Sequence, residues 1–388
     1  MRKSLWVPLL ALLGVCSLAF GATSDDEIKQ LKEMIKAQNA KIEKLEKAQG
    51  ATAATAAVDK AVASRGNAYL APDRPDIKGT GLTFTGEYLY WKVNVGDNTY
   101  AYLDDATWNS EDGKAKTVEM GWDHGFRVGL SYRLPWDGFD VGASYTYFRT
   151  EGKASAADDD ITTALYPAAF DPYSSGSDDC NVAIANMKFK FDSAELLLSR
   201  NTQVSKALSA KLFGGFKLVN YELSRDFQYF GDDFADPDEG LGGIVQDKVD
   251  ALLYGVKAGA SGEMKLNHGF SLVGSAAASL LTGKFNIKSL IIEDDNYVID
   301  PATEIMAHMN KSVNRVVPVV ELEAGVAWER KLLDNLNLKV FVGYQFTQLF
   351  DVVNFPRNHD DTDEATSMYE PDGNLGMHGL VFRIRLDF

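Results

Sequence analysis

Gly376-Met377-His378-Gly379-Leu380-Val381-Phe382-Arg383-Ile384-Arg385-Leu386-Asp387-Phe388 closes the chain. Read alternately, Leu380, Phe382, Ile384, Leu386 and Phe388 are apolar, whereas Val381, Arg383, Arg385 and Asp387 are mostly charged. Side chains two apart share one face of a strand, so this is a period-2 strand with a greasy face and an ionic face. Alternation alone does not say whether the greasy face meets a protein core or lipid. The rest of the chain decides that.

Working backwards, ten extended segments appear: Leu82 to Val95, Val118 to Arg133, Phe139 to Thr150, Asn186 to Arg200, Leu208 to Ser224, Lys248 to Glu263, Phe270 to Asn286, Arg315 to Arg330, Leu336 to Asp351, and Gly376 to Phe388. Most alternate as the last one does. In the second, Phe126, Val128, Leu130 and Tyr132 oppose Arg127, Gly129, Ser131 and Arg133; in the eighth, Val320, Leu322, Ala324, Val326 and Trp328 oppose Glu321, Glu323, Gly325 and Glu329. The fourth fails, because Leu196, Leu197 and Leu198 run together, and a β-bulge there or a misread register is the expected cause.

The connections carry the argument further. Short turns fall at residues 134–138, 202–207, 264–269 and 331–335, and every other connection is about twenty to thirty-five residues long. Tight turns at one end and long loops at the other is the arrangement of a bacterial outer-membrane barrel, in which each strand needs only about 9–11 residues to cross. A soluble two-sheet sandwich would more often have connections of similar length at both ends. The reading is therefore all-β: a transmembrane antiparallel β-barrel of about ten strands, with a range of 8–12. The abundance of Gly (33), Tyr (16) and Phe (21) fits tight strand packing and interfacial aromatic girdles.

Ahead of the barrel, the pattern changes twice. Arg2 and Lys3 precede an apolar run from Leu5 to Leu18, and Ala19-Phe20-Gly21 supplies small residues for cleavage before Ala22, so residues 1–21 read as a secretory signal peptide. Val15 before Cys16 is too bulky for a lipoprotein site. Within 22–50, Ile28, Leu31, Ile35, Gln38, Ile42 and Leu45 recur at steps of three and four, which predicts a coiled-coil helix that dimerises or trimerises the protein. Residues 51–81, rich in Ala and Thr and broken by Pro72 and Pro75, read as a linker, and the barrel occupies 82–388. Both termini would then lie in the periplasm and the long loops outside the cell. Cleavage leaves Cys180 as the sole cysteine, read as an isolated surface thiol rather than an intermolecular cross-link.

Two groups of residues are candidates for function. The inward faces carry Glu87, Asp123, Asp140, Glu321, Glu323 and Glu329 against Arg127, Arg133, Lys211, Lys217, Lys257, Lys339, Arg383 and Arg385. Inside a narrow barrel such charges must pair or line water. Paired, they make a salt-bridged plug; lining water, they make a pore wall. The long loops form the second group, an acidic mouth of Asp158, Asp159, Asp160, Asp232, Asp233, Asp236, Asp238, Asp360 and Asp361. Carboxylates at that density concentrate cations within about 8–10 Å. Divalent ions could be held loosely there, although Asp236-Pro237-Asp238-Glu239-Gly240 has only a fragment of an EF-hand spacing, so no resident metal or cofactor is expected.

A net charge of −16 without a basic cluster excludes nucleic acid as a partner. Catalysis has little support. His124 beside Asp123 and His359 beside Asp360 are the acid/base pairs on offer, and strand alternation puts neighbours on opposite faces. No nucleophile elbow, zinc-ligand pair or phosphate-cradling glycine loop is present, so no enzyme is expected.

Thr85-Gly86-Glu87-Tyr88-Leu89-Tyr90-Trp91, Gly125-Phe126-Arg127-Val128-Gly129, Phe139-Asp140-Val141-Gly142-Ala143-Ser144-Tyr145-Thr146-Tyr147-Phe148 and the closing Leu380 to Leu386 resemble the Legionella-type major outer membrane protein family, which also occurs in environmental relatives of chlamydiae. The resemblance implies an abundant surface porin with adhesin or structural duties. Cysteine cross-linking, often ascribed to the family, has only Cys180 to work with here. The expected function is a porin-like channel for passive diffusion of small hydrophilic solutes, cation-preferring because of the mouth. The alternative is a structural or adhesive surface barrel with a plugged lumen, whose loops bind host-surface ligands. In either case the expected surroundings are outer-membrane lipids and further copies of the chain.

Overall fold

The computed structural model describes residues 81–96, 98–105, 114–134, 138–158, 163–168, 179–231, 242–293, 304–353, 355 and 373–388. The signal peptide, coiled-coil helix and nearly all of the linker lie outside the described residues. In chain order the strands are β1 (Leu82–Val95), β2 (Thr99–Asp105), β3 (Lys114–Thr117), β4 (Trp122–Arg133), β5 (Phe139–Ala157), β6 (Thr163–Pro167), β7 (Val182–Gln203), β8 (Leu208–Phe230), β9 (Gly243–Lys265), β10 (Phe270–Glu293), β11 (Glu304–Leu333), β12 (Leu336–Val353) and β13 (Gly373–Asp387). Ten of them close an antiparallel barrel in the order β1-β13-β12-β11-β10-β9-β8-β7-β5-β4, and β3-β2-β6 form a separate small sheet.

Closure is made by the two ends of the barrel sequence. Thr83 pairs with Asp387 and Glu87 with Arg383 along the β1/β13 seam. At its foot, Gly81 N donates to Phe388 O (3.0 Å) and Phe388 N to Leu82 O (2.8 Å). A closed barrel leaves no strand edge facing lipid, where an unpaired backbone group would cost several kcal/mol.

The long strands carry two successive alternations of opposite sense. On β8 the outward residues Leu208, Leu212, Phe216 and Leu218 are apolar and exposed, and on β10 so are Phe270, Leu272 and Leu280. Those stretches match the length of a membrane crossing. Past them the outward positions turn polar, as Asn220, Glu222 and Ser224 on β8 and Lys284, Asn286 and Lys288 on β10. The inward positions change the other way: Ser209, Lys211 and Lys217 give way to Tyr221, Leu223, Phe227 and Tyr229, each at most 1% exposed. A strand of this kind is built for lipid near the short turns and for water near the long loops.

Extension of β5 and β7–β11 beyond the membrane corrects the expected loop lengths. The β8–β9 and β10–β11 connections shrink to residues 231–242 and 294–303, because strand pairing continues into what reads as loop. The expected bulge at Leu196-Leu197-Leu198 is also absent. β7 keeps an unbroken register with β5 and β8, with Leu196 and Leu198 outward and Leu197 inward. Three short strands lie within what reads as long loop, β2 and β3 in the connection after β1 and β6 in the connection after β5.

Close coiling demands glycine at some inward positions. A Cβ on Gly215 would sit 2.0 Å from the Leu196 carbonyl oxygen, and one on Gly255 would sit 2.0 Å from that of Leu280. Aromatic residues rim the band as expected of an interfacial girdle. At the long-loop edge Tyr90 stacks on Trp122 and His124, and the hydroxyl of Tyr88 pairs with Nδ1 of His124.

Candidate functional site: a belt of ion pairs across the lumen

The inward charges meet in a belt near the middle of the barrel. Glu87 on β1 accepts from Arg127 Nη1 on β4 (2.8 Å) and from Arg383 Nε on β13 (2.7 Å). Arg383 then reaches past β12 and places its two terminal nitrogens on the two oxygens of Glu323 on β11 (3.0 and 2.7 Å). That fork is the strongest geometry a guanidinium offers a carboxylate. Lys217 on β8 contacts Glu195 on β7 (3.0 Å) and Glu321 on β11 (2.5 Å), and Lys257 on β9 contacts the same two carboxylates (2.8 and 2.5 Å). Four carboxylates therefore meet four cations, with Gln345 on β12 accepting from Arg127 Nη1 at 3.3 Å. The charges are largely out of water: side-chain exposure is 6% for Glu87 and 3% for Lys217. Desolvation is offset because Glu87, Arg383, Glu195, Glu321, Lys217 and Lys257 each find two partners of opposite sign, while Arg127 pairs with Glu87 and Glu323 with Arg383.

Below the belt, toward the short turns, lies a cavity of about 420 Å³. Its walls are small or polar, among them Ser131, Ser199, Ser209, Ser261 and Asn337. Lys339 pairs with Glu263 and lies 3.9 Å from Glu329, and Arg385 pairs with Asp387 at 2.9 Å while keeping 26% side-chain exposure. Water reaches this half of the lumen.

Above the belt the interior is apolar and packed. Trp91, Phe148, Phe189, Tyr221, Phe227, Tyr229 and Phe285 are at most 2% exposed. Two further segments enter from the long-loop end. Tyr221 Oη donates to Val352 O (2.5 Å), and Phe355 lies 4.4 Å from the guanidinium carbon of Arg225, itself paired with buried Asp247. From the small sheet, Tyr100 accepts a hydrogen bond on its carbonyl from Tyr229 Oη (2.7 Å) and packs on Phe227.

Residues 76–388 match the family model described as Legionella pneumophila major outer membrane protein precursor. The chain belongs to that family. Membership places it among outer-membrane proteins, in agreement with the closed barrel and its apolar exterior. No curated protein matches. Among solved structures, the outer membrane protease OmpT from Escherichia coli is 10% identical, covering 81% of this chain and 99% of that one, with a TM-score of 0.42. The translocator domain of the autotransporter NalP from Neisseria meningitidis is 14% identical, with coverage of 86% and 98% and a TM-score of 0.33. The P. putida toluene transporter TodX is 12% identical, with coverage of 81% and 91% and a TM-score of 0.26. At such scores none of the three bears on what this family member does.

Of the wall residues read from sequence, Glu87, Arg127, Lys217, Lys257, Glu321, Glu323 and Arg383 form the belt, and Lys211, Glu329, Lys339 and Arg385 line the cavity. Asp123 stands apart, its carboxylate accepting from Thr150 Oγ1 at 2.5 Å. Arg133 and Asp140 approach to 3.6 Å near the short turns, where Asn201 Nδ2 donates to Asp140 at 2.9 Å. Two belt and cavity residues were missed, Glu195 and Glu263. Counting Ser193, Glu195, Leu197 and Ser199 as one face finds the first, and extending Lys257, Gly259 and Ser261 by one step finds the second.

Of the acidic mouth, Asp158 is described, its backbone N–H donating to Asn181 O (2.8 Å). Asp159, Asp160, Asp232, Asp233, Asp236, Asp238, Asp360 and Asp361 lie outside the described residues. Cys180 is not a surface thiol. It is 1% exposed, with Sγ 3.3 Å from Leu165 O, because the isolated bridge to β6 folds it into the apolar interior.

Proposed function

We propose that this is a surface barrel of the outer membrane whose lumen is closed, with a structural or adhesive role carried by the long-loop end. The observation that supports it is the water-excluded interior above the belt, from Trp91 and Phe189 to Tyr221, Phe285 and Phe355. A hydrated ion crossing that region would lose its water to largely apolar walls, where buried charges such as Arg225 and Asp247 are already paired with one another. In this reading the short turns and both termini of the chain face the periplasm, and the loops act outside the cell on host-surface ligands.

A second reading, a porin-like channel, draws on the polar cavity that occupies the other half of the lumen. It requires the apolar half and the belt to part. Cation preference would then come from the acidic loops.

Single-channel recording separates the two. Purified barrel, shown to be folded by its heat-dependent gel shift, is placed in a planar bilayer under a salt gradient. A silent bilayer is the expected result. Discrete, reproducible steps would overturn the closed reading, and neutralising Asp232, Asp233, Asp236 and Asp238 should then shift the reversal potential toward anions.

A further inference from the structure

The outer wall of β9 and β10 combines two features that one ligand class would explain. Within the membrane band, three successive outward cross-strand pairs are all small: Ala258 with Ala278, Ala260 with Ala276, and Gly262 with Gly274. Most other outward positions of the band carry Leu, Phe, Val or Tyr, and Ala210 and Gly214 on β8 and Ala324 on β11 adjoin the three pairs, so a trough is left, walled on the β11–β12 side by Leu322, Tyr344 and Phe346. Further along the same two strands, past the end of the band, the outward positions become basic. Lys248 stands directly opposite Lys288, and Lys284 is the next outward residue but one below Lys288.

Like charges directly opposite on a sheet repel. Lys248 is relieved by Glu222 (2.7 Å), whereas Lys284 and Lys288 are exposed and have no carboxylate within ion-pair distance among the described residues. The neighbouring strand β11 adds neutral hydrogen-bonding side chains, Asn310 opposite Lys288 and Asn314 opposite Lys284. Two carboxylates share this wall, Glu222 on β8 and Asp250 on β9, the latter opposite Asn286 and accepting from its Nδ2 (2.9 Å), so in a chain of net charge −16 the three lysines leave a small local excess of cations on the outer wall, just beyond the hydrocarbon edge.

We propose that this wall binds a phosphate-bearing lipid of the leaflet at the long-loop end: its phosphates sit on Lys248, Lys284 and Lys288, and its acyl chains run down β9 and β10 into the small-residue trough. The charges say why the occupant is not a second copy of the chain. A two-fold axis beside this wall would bring Lys284 and Lys288 against their own counterparts.

The test is native mass spectrometry of the full, folded chain, released from mixed micelles containing a bis-phosphorylated glycolipid, the same glycolipid without phosphates, or inorganic phosphate alone. Wild type should retain the phosphorylated lipid preferentially. K248Q/K284Q/K288Q should lower that retention by roughly fivefold per lysine at low salt, from the usual value of a basic side chain near an anionic surface, without changing retention of the dephosphorylated form. G262L, whose Cβ would meet nothing within 4 Å, should fill the trough and weaken retention of both lipids. K331Q, an exposed lysine near the short turns, serves as the control and should change nothing. Equal retention of the two lipids, full competition by inorganic phosphate, or a triple variant equal to wild type would overturn the proposal. So would a G262L chain that loses oligomers rather than lipid, since the trough would then be a contact between copies.

Discussion

Lys217 Nζ lies 2.5 Å from Glu321 Oε1 although their strands, β8 and β11, are separated by β9 and β10. The pair is a chord across the lumen, joining parts of the barrel wall that share no backbone hydrogen bonds. Glu321 also holds Lys257, so one carboxylate neutralises two buried cations. Replacing it as E321Q leaves both with only Glu195, at an expected cost of about 3–5 kcal/mol. Urea unfolding of the folded barrel measures this. An unchanged midpoint would mean that water from the cavity already solvates the two lysines.

Phe355 tests the apolar half in the same way. It is fully buried and lies over the Arg225 guanidinium. F355A should cost about 3–5 kcal/mol, the usual penalty for truncating a buried aromatic. If the variant unfolds at the wild-type midpoint, Phe355 is not part of the packed interior, and the closed-lumen reading weakens with it.

Gly255 and Gly262 belong to the same strand and should respond oppositely. A side chain at Gly255 collides with the Leu280 carbonyl at 2.0 Å and the Leu281 Cα at 2.8 Å, both backbone. G255V is expected to abolish the heat-modifiable, folded band on a gel. G262A, facing open space, should fold as wild type does. Equal behaviour of the two would argue against the register of β9 on β10.

Cys180 offers a chemical probe of the same interior. In a C16S background, which leaves one thiol, a maleimide should label the folded barrel slowly and the urea-unfolded chain quickly. Rapid labelling of the folded form would place Cys180 at the surface and make cross-linking between copies feasible.

Much of the barrel was legible because lipid imposes a simple pattern. Ten strands, their order and the four short turns follow from period-2 runs such as Phe126 to Tyr132 and Val320 to Trp328. Where the reading failed, a second physical demand was superimposed. Leu196-Leu197-Leu198 looked like a bulge because Leu197, an apolar residue, lies on a largely polar inward face. β8 and β10 looked shorter than they are because past Leu218 and Leu280 the outward side becomes polar and the inward side apolar, so the greasy face changes sides without the strand ending.

The sequence by itself determined which residues face inward, since side-chain direction along a strand is a local property of the backbone. It placed Glu87, Arg127, Lys217, Glu321 and Arg383 on that face without any view of their partners. Whether those charges line water or bind one another was decided only by tertiary structure. Glu321 and Lys217 are 104 positions apart, and Arg383 and Glu87 are 296 apart. Barrel closure and strand tilt set which inward residues come level across the lumen, and a charge held out of water is stable only where that geometry brings an opposite charge to meet it.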